Sequence, residues 1–114
     1  MIYETALVLR TDIDEATANS VKAIVSDVVT NAKGEILVND DWGVKTFPQT
    51  LGNNHKKGHY VYFMYKANTQ VNNEIERRLR INEHVIRSLI VKLGDDKSQE
   101  NIVKAYKTPG YNNN

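Results

Sequence analysis

The sequence contains no cysteine. That excludes a disulfide framework, a thiolate metal site and thiol redox chemistry, and makes an intracellular protein the simplest reading. It has no apolar run long enough to span a bilayer, and Met1-Ile-Tyr-Glu-Thr-Ala enters strand-like sequence without a basic leader, so a cytoplasmic protein with no membrane contact is expected. A phosphate-binding loop is missing too. Gly52 and Gly58, in the turn-rich run from Gln49, are not followed by the Lys-Ser/Thr pair that holds phosphates and magnesium. Of the three histidines, His55 and His59 straddle a loop and a strand, which denies them helical i, i+4 ligand geometry, and His84 stands apart. Asp12, Asp14 and Glu15 cluster at a helix start, where they suit the positive pole of the dipole better than paired-carboxylate chemistry. No catalytic constellation, cofactor, metal or small-molecule substrate is expected.

A dominant charge sign is also lacking, since fifteen basic residues face fourteen acidic ones. The balance hides an asymmetry. Residues 1–41 carry Arg10, Lys22 and Lys33 against eight carboxylates, net −5, whereas residues 42–114 carry twelve basic against six acidic side chains, net +6. The basic part suffices for a local electrostatic footprint for nucleic acid, although a solvated surface would look the same.

A chain of 114 residues, 40% of them hydrophobic, supports one core. Residues 2–10 alternate, with Tyr3, Thr5, Leu7 and Leu9 on one face and Glu4, Ala6, Val8 and Arg10 on the other, as a half-buried strand does. Asp12 and Glu15 have capping-box spacing ahead of a helix over 14–32, whose apolar positions include Val21, Ile24, Val25 and Val28, and Gly34 supplies its stop. A second strand is expected over 35–47, ending near Pro48 or lying on an edge there. Residues 49–58 read as a mobile loop. The strand over 59–67 is apolar on both faces: Tyr60, Tyr62 and Met64 on one, Val61, Phe63 and Tyr65 on the other. One face belongs to the core, and the other is expected to be bare or covered by a partner or stacked bases. Val71, Ile75 and Leu79, four apart, mark a helix over 71–81.

From Arg77 to Leu93 the chain reads as a helix end, a short turn and a buried strand over 85–93. Three arginines suit the negative end of the helix, with Glu74 a neighbour for Arg77 and Arg78. Arg87 differs. A charge inside an apolar strand must reach water, a carboxylate or a phosphate, because burying it unpaired costs several kcal/mol, on the order of a buried ion's penalty. Residues 95–114 read as an extended C-terminal tail beyond a domain of residues 1–94. The order of elements is the βαββαβ pattern of an α+β, ferredoxin-like fold: a four-stranded antiparallel sheet with two helices on one face.

Four motifs carry a resemblance: Tyr3-Glu4, Asp41-Trp42-Gly43, Lys57-Gly58-His59-Tyr60-Val61, and Arg80-Ile81-Asn82-Glu83-His84-Val85-Ile86-Arg87-Ser88. Over residues 1–94 the chain resembles the family of the sixth protein of the bacterial small ribosomal subunit. It departs from that family at Lys45-Thr46-Phe47-Pro48-Gln49, where members commonly carry a Leu-Ala-Tyr-Pro-Ile-like run, and in a short tail that is not acidic. The resemblance implies a non-enzymatic ribosomal scaffold that binds the central domain of small-subunit (16S) ribosomal RNA together with the eighteenth small-subunit protein. Lys45, Lys56, Lys57, Arg80 and Arg87 would then meet RNA, and Tyr60, Tyr62, Ile102 and Tyr106 the protein partner. The alternative is a ferredoxin-like ligand-sensing or oligomeric regulatory domain without RNA, which leaves the arginine cluster unexplained.

Overall fold

Alternation and helical spacing place six of the elements where they are expected, in a computed structural model that describes residues 1–51 and 55–107, with side chains for 1–47 and 56–107. They run β1 (Ile2–Leu9), α1 (Glu15–Asn31), β2 (Glu35–Leu51), β3 (His55–Lys66), α2 (Thr69–Arg80) and β4 (Val85–Gly94). The sheet order is β2-β3-β1-β4, with every neighbouring pair antiparallel. Both helices pack on one face. There Tyr3, Leu7 and Leu9 of β1 meet Val61, Phe63 and Tyr65 of β3, Val21, Val25 and Val28 of α1, and Val71, Ile75 and Leu79 of α2. Thr5, fully buried among them, bonds to the Tyr65 hydroxyl at 2.8 Å, and that hydroxyl donates to Asn72 at 2.8 Å. The polar atoms in this core are thus satisfied.

Local chemistry corrects two expected signals. The helix cap is Asp14, which has extended backbone angles and accepts from the Thr17 N–H at 2.7 Å. Asp12 instead takes both arms of the Arg10 guanidinium, at 2.9 and 2.6 Å. At the other end the left-handed residue is Lys33, at φ +63°, not Gly34. Gly34 serves close approach: a Cβ there would stand 2.7 Å from the Lys66 carbonyl oxygen of β3.

β2 and β3 are longer than expected. β2 lies on an edge of the sheet and continues past Pro48, where a residue lacking an N–H is tolerated. Of the expected loop, residues 49–51 and 55–58 are strand, and 52–54 lie outside the described residues. β2 bulges between Asp41 and Gly43, where Gly43 takes φ +82° and its N–H donates to Asp41 Oδ1 at 2.8 Å.

The expected extended tail is the larger correction. Asp95 caps a 3-10 turn (Asp96–Ser98) through the Ser98 N–H at 3.1 Å, and α3 (Gln99–Lys107) follows. Its Ile102, Val103 and Tyr106 share one side and rest on Ile2, Val38, Tyr62 and Met64 of the sheet face opposite α1 and α2. A strand apolar on both faces needs that cover, and the chain provides it. Asp96 also pairs with the amino terminus. Residues 108–114 of the expected tail lie outside the described residues.

Candidate nucleic-acid interface

The antiparallel register decides which basic side chains can act together. Gly43, Tyr60, Val8 and Arg87 form one row across all four strands. Lys45 opposite Gly58, and Lys57 opposite Thr46, lie just beyond that row towards the same end of the sheet, beside Lys56. α2 ends at Arg80 and leads into β4 at that end too. The five cationic residues expected to bind RNA therefore gather along one end of a sheet roughly 14 Å wide at about 4.8 Å per strand interval.

At the outer edge of β4, Arg80 and Arg87 line one groove of about 470 Å³ with Glu76, Leu79, Ser88 and Ile90. Arg87 is exposed and makes no ion pair among the described residues. Its burial problem is solved by orientation: it shares the face of Val8, away from α1 and α2, on a strand with an open side. Arg80 is paired with Glu76 one turn back. Arg77 and Arg78 both hold Glu74, at 2.8 and 3.3 Å, so the helix-end reading of those two stands. The side-chain hydrogen bond from Arg77 holds the Glu74 carboxyl below its ordinary range.

Across the sheet, Lys45 Nζ lies 5.6 Å from the Trp42 ring centre and 5.7 Å from that of Tyr60, a cation resting against two aromatic faces. Tyr60 meets Phe47 edge-on at 6.1 Å. Phe47 is buried, and the Gly58 hydrogen makes room for it and for Val8: a Cβ would clash with Val8 Cγ1 and stand 2.7 Å from Phe47 Cζ. Lys56 and Lys57 are exposed at the start of β3. Carboxylates share this end of the molecule but are engaged locally. Asp12 is bound to Arg10, and Asp14 is held below its ordinary carboxyl range by its hydrogen bonds from Thr17.

Three of the four residues expected at a protein partner are engaged with one another. Tyr62, 4% exposed, stacks with Trp42 at 5.0 Å and with Tyr106 at 4.8 Å, and donates to Glu4 at 2.5 Å. The Trp42 indole donates to the Tyr106 hydroxyl at 3.2 Å, which donates to Asp40 at 2.6 Å. Burial, with Asp40 adding to it, pushes the Tyr106 hydroxyl up to about 12. Ile102 packs beside this stack, and Tyr60 lies apart under Lys45. Trp42 and Phe47 are the residues that sequence reasoning missed. The one available signal was a lone tryptophan ahead of a glycine in an edge strand, since a bulge there turns the side chain onto the other face.

His59 and His84 do not converge, and the side chain of His55 lies outside the described residues. His59 bonds to Asp41 at 2.7 Å, together with Lys22 of α1 at 3.1 Å, and His84 stands beside Glu83 at 3.7 Å. Among the described residues no group of three or more metal-ligating side chains forms, and no helix is long and apolar enough to cross a membrane.

Comparison with known proteins gives concordant matches. The family model described as ribosomal protein S6 matches residues 2–92. The small ribosomal subunit protein bS6 of Trichlorobacter lovleyi is 35% identical over 98 residues, covering 86% of this chain and 80% of the relative. That of Rickettsia prowazekii is 32% identical over 100 residues, covering 85% and 79%. The crystal structure of 30S ribosomal protein S6 from Thermotoga maritima superposes with a TM-score of 0.77 at 19% identity, over 90% of this chain and 96% of that one, a likeness of fold.

Proposed function

Because the chain belongs to the ribosomal protein S6 family, we propose that it binds small-subunit ribosomal RNA through the basic end of its sheet, together with the eighteenth small-subunit protein. It is a structural protein of the bacterial small ribosomal subunit, not an enzyme, and works on the cytoplasmic ribosome. The finer reading is carried by one observation, the register that gathers Lys45, Lys56, Lys57, Arg80 and Arg87 at a single end of the sheet. Phosphates there would meet point charges from the lysines and a planar fork from Arg87. The protein partner belongs on the side where Tyr62, Ile102 and Tyr106 gather with α3, with Tyr60 apart from them on the same strand. A nearly neutral domain offers few phosphate contacts, so RNA binding by the chain alone is weak and the pair binds tightly. A ligand-sensing domain would need an open sheet face, and α3 lies on it.

The test is titration of a central-domain ribosomal RNA fragment with the chain alone and with the partner present, at two salt concentrations. Arg87→Ala should weaken binding and lower the salt slope by about one. Tight, salt-dependent binding by the chain alone, unchanged by Arg87→Ala, would overturn the proposal.

A further inference from the structure

The groove at the β4 edge holds three charged side chains, and one of them has the wrong sign for a phosphate site. Glu76 and Arg80 are one helical turn apart on α2 and form an ion pair on one wall, while Arg87 lines the groove from the other side of the open β4 edge, with no carboxylate partner among the described residues. The two arginines are therefore not equivalent towards a polyanion. Arg87 offers its guanidinium at once; Arg80 must first leave Glu76. That exchange is cheap, because both side chains of the pair are more than half exposed, and exposed i, i+4 pairs contribute little to stability. Once exchanged, Glu76 remains a turn away from the incoming phosphate and repels it.

We propose that Glu76 sets the selectivity of this groove by competing with RNA phosphate for Arg80. The inference rests on the RNA-binding reading above. A phosphate placed so that both Arg80 and Arg87 reach it draws Arg80 away from the carboxylate. A phosphate reaching Arg87 alone leaves the Glu76–Arg80 pair closed and meets the carboxylate's field without compensation. The groove thus rejects polyanions that fit one arginine and accepts those that fit two, a repulsive element built beside an attractive one. Leu79 and Ile90 line the groove. Its apolar lining offers no other counter-charge.

The experiment compares the intact wild-type chain, Glu76→Gln, Arg80→Ala, Arg87→Ala and the double variant E76Q/R80A. The titrants are a central-domain ribosomal RNA fragment and an unrelated RNA duplex of equal length, with the protein partner present. Freeing one arginine to neutralise a further phosphate is worth about fivefold in affinity near physiological salt. Glu76→Gln should therefore tighten the unrelated duplex about fivefold and the ribosomal fragment about twofold, raising the salt slope for the duplex by about one as Arg80 becomes available. In the Arg80→Ala background most of the gain should vanish. Equal or weaker binding by Glu76→Gln, with Arg87→Ala still weakening it, overturns the role of Glu76 and leaves the RNA-binding reading intact. The selectivity role is equally overturned by a gain that is the same for both RNAs, or that persists fully without Arg80. If neither Glu76→Gln nor Arg87→Ala changes anything, the groove is not the RNA site and both readings fall together.

Discussion

The two faces of the sheet are closed by different means. Under α1 and α2, fourteen buried residues form one cluster, anchored by Phe63, Tyr65 and Ile75 at 0% exposure. Under α3 only Ile2, Val38, Tyr62 and Met64 are buried, and no residue of α3 itself is. A groove of about 420 Å³, lined by Tyr106, Ile102, Met64 and Glu4, opens beside the helix. One face is a core. The other is a sheet surface with a short amphipathic helix resting on it through Ile102, Val103, an aromatic stack and hydrogen bonds at Tyr106. The difference shows that burial on both sides of a strand does not imply equal commitment on both sides.

Truncation at the centre of each face gives the sharpest contrast. Phe63→Ala should cost about 3–5 kcal/mol, because a fully buried ring leaves a cavity that the helices cannot fill. Ile102→Ala should cost about 1 kcal/mol, since its side chain is only partly buried. Denaturant unfolding of both variants measures this; equal losses would mean that the two faces form one cooperative core. An effect no larger than that of Ile102→Ala is expected for Tyr106→Phe, which deletes the hydroxyl that links Trp42 to Asp40. It should cost about 1 kcal/mol. It should also change the emission of Trp42, the chain's single tryptophan. Unchanged emission would mean that α3 does not rest there in solution.

The smallest effect concerns the rim of the helix face, where Asp41 ties β2 to Lys22 of α1 and His59 of β3. Desolvation raises the Asp41 carboxyl, but hydrogen bonds from His59, the Gly43 N–H and Lys22 outweigh it and hold the group down at about 2, from 3.8. A depressed carboxyl contributes stability that is fully present above the ordinary value and lost as pH falls through about 2. Asp41 is 44% exposed, so after solvent screening the contribution is at most about 1 kcal/mol. The stability gap between wild type and Asp41→Asn should shrink by that amount between pH 5 and pH 2. A gap that stays constant over this range would remove Asp41 as a tether.

Much of the helix face was legible in the sequence because it obeys simple periods. Leu7 and Leu9 alternate, and Val71, Ile75 and Leu79 recur every four residues, so β1 and α2 fall within two residues of their expected bounds. The opposite face was less legible. Ile102, Val103 and Tyr106 have helical spacing, but Pro109, Gly110 and the asparagine run beside them suggest a tail, and nine residues give a period little room to assert itself. Trp42 was hidden for another reason: the bulge at Asp41 and Gly43 breaks the period of two on which a face assignment depends. At the basic end, Arg80 and Arg87 could be singled out by their placement around a helix end and an apolar strand. Glu76 could not, because its meaning arises only when α2 and β4 close a groove around it.

The sheet order has a consequence for how the molecule is made. β1 is the first strand synthesised and the one with both of its neighbours, β3 and β4, far downstream. While the chain grows, Ile2–Leu9 must wait as unpaired apolar sequence until His55–Lys66 has emerged, and it gains its second neighbour only with Val85–Gly94. Of the strand pairs in the described sheet, only β2 and β3 are adjacent in sequence, so they can zip locally while the central strand still lacks partners.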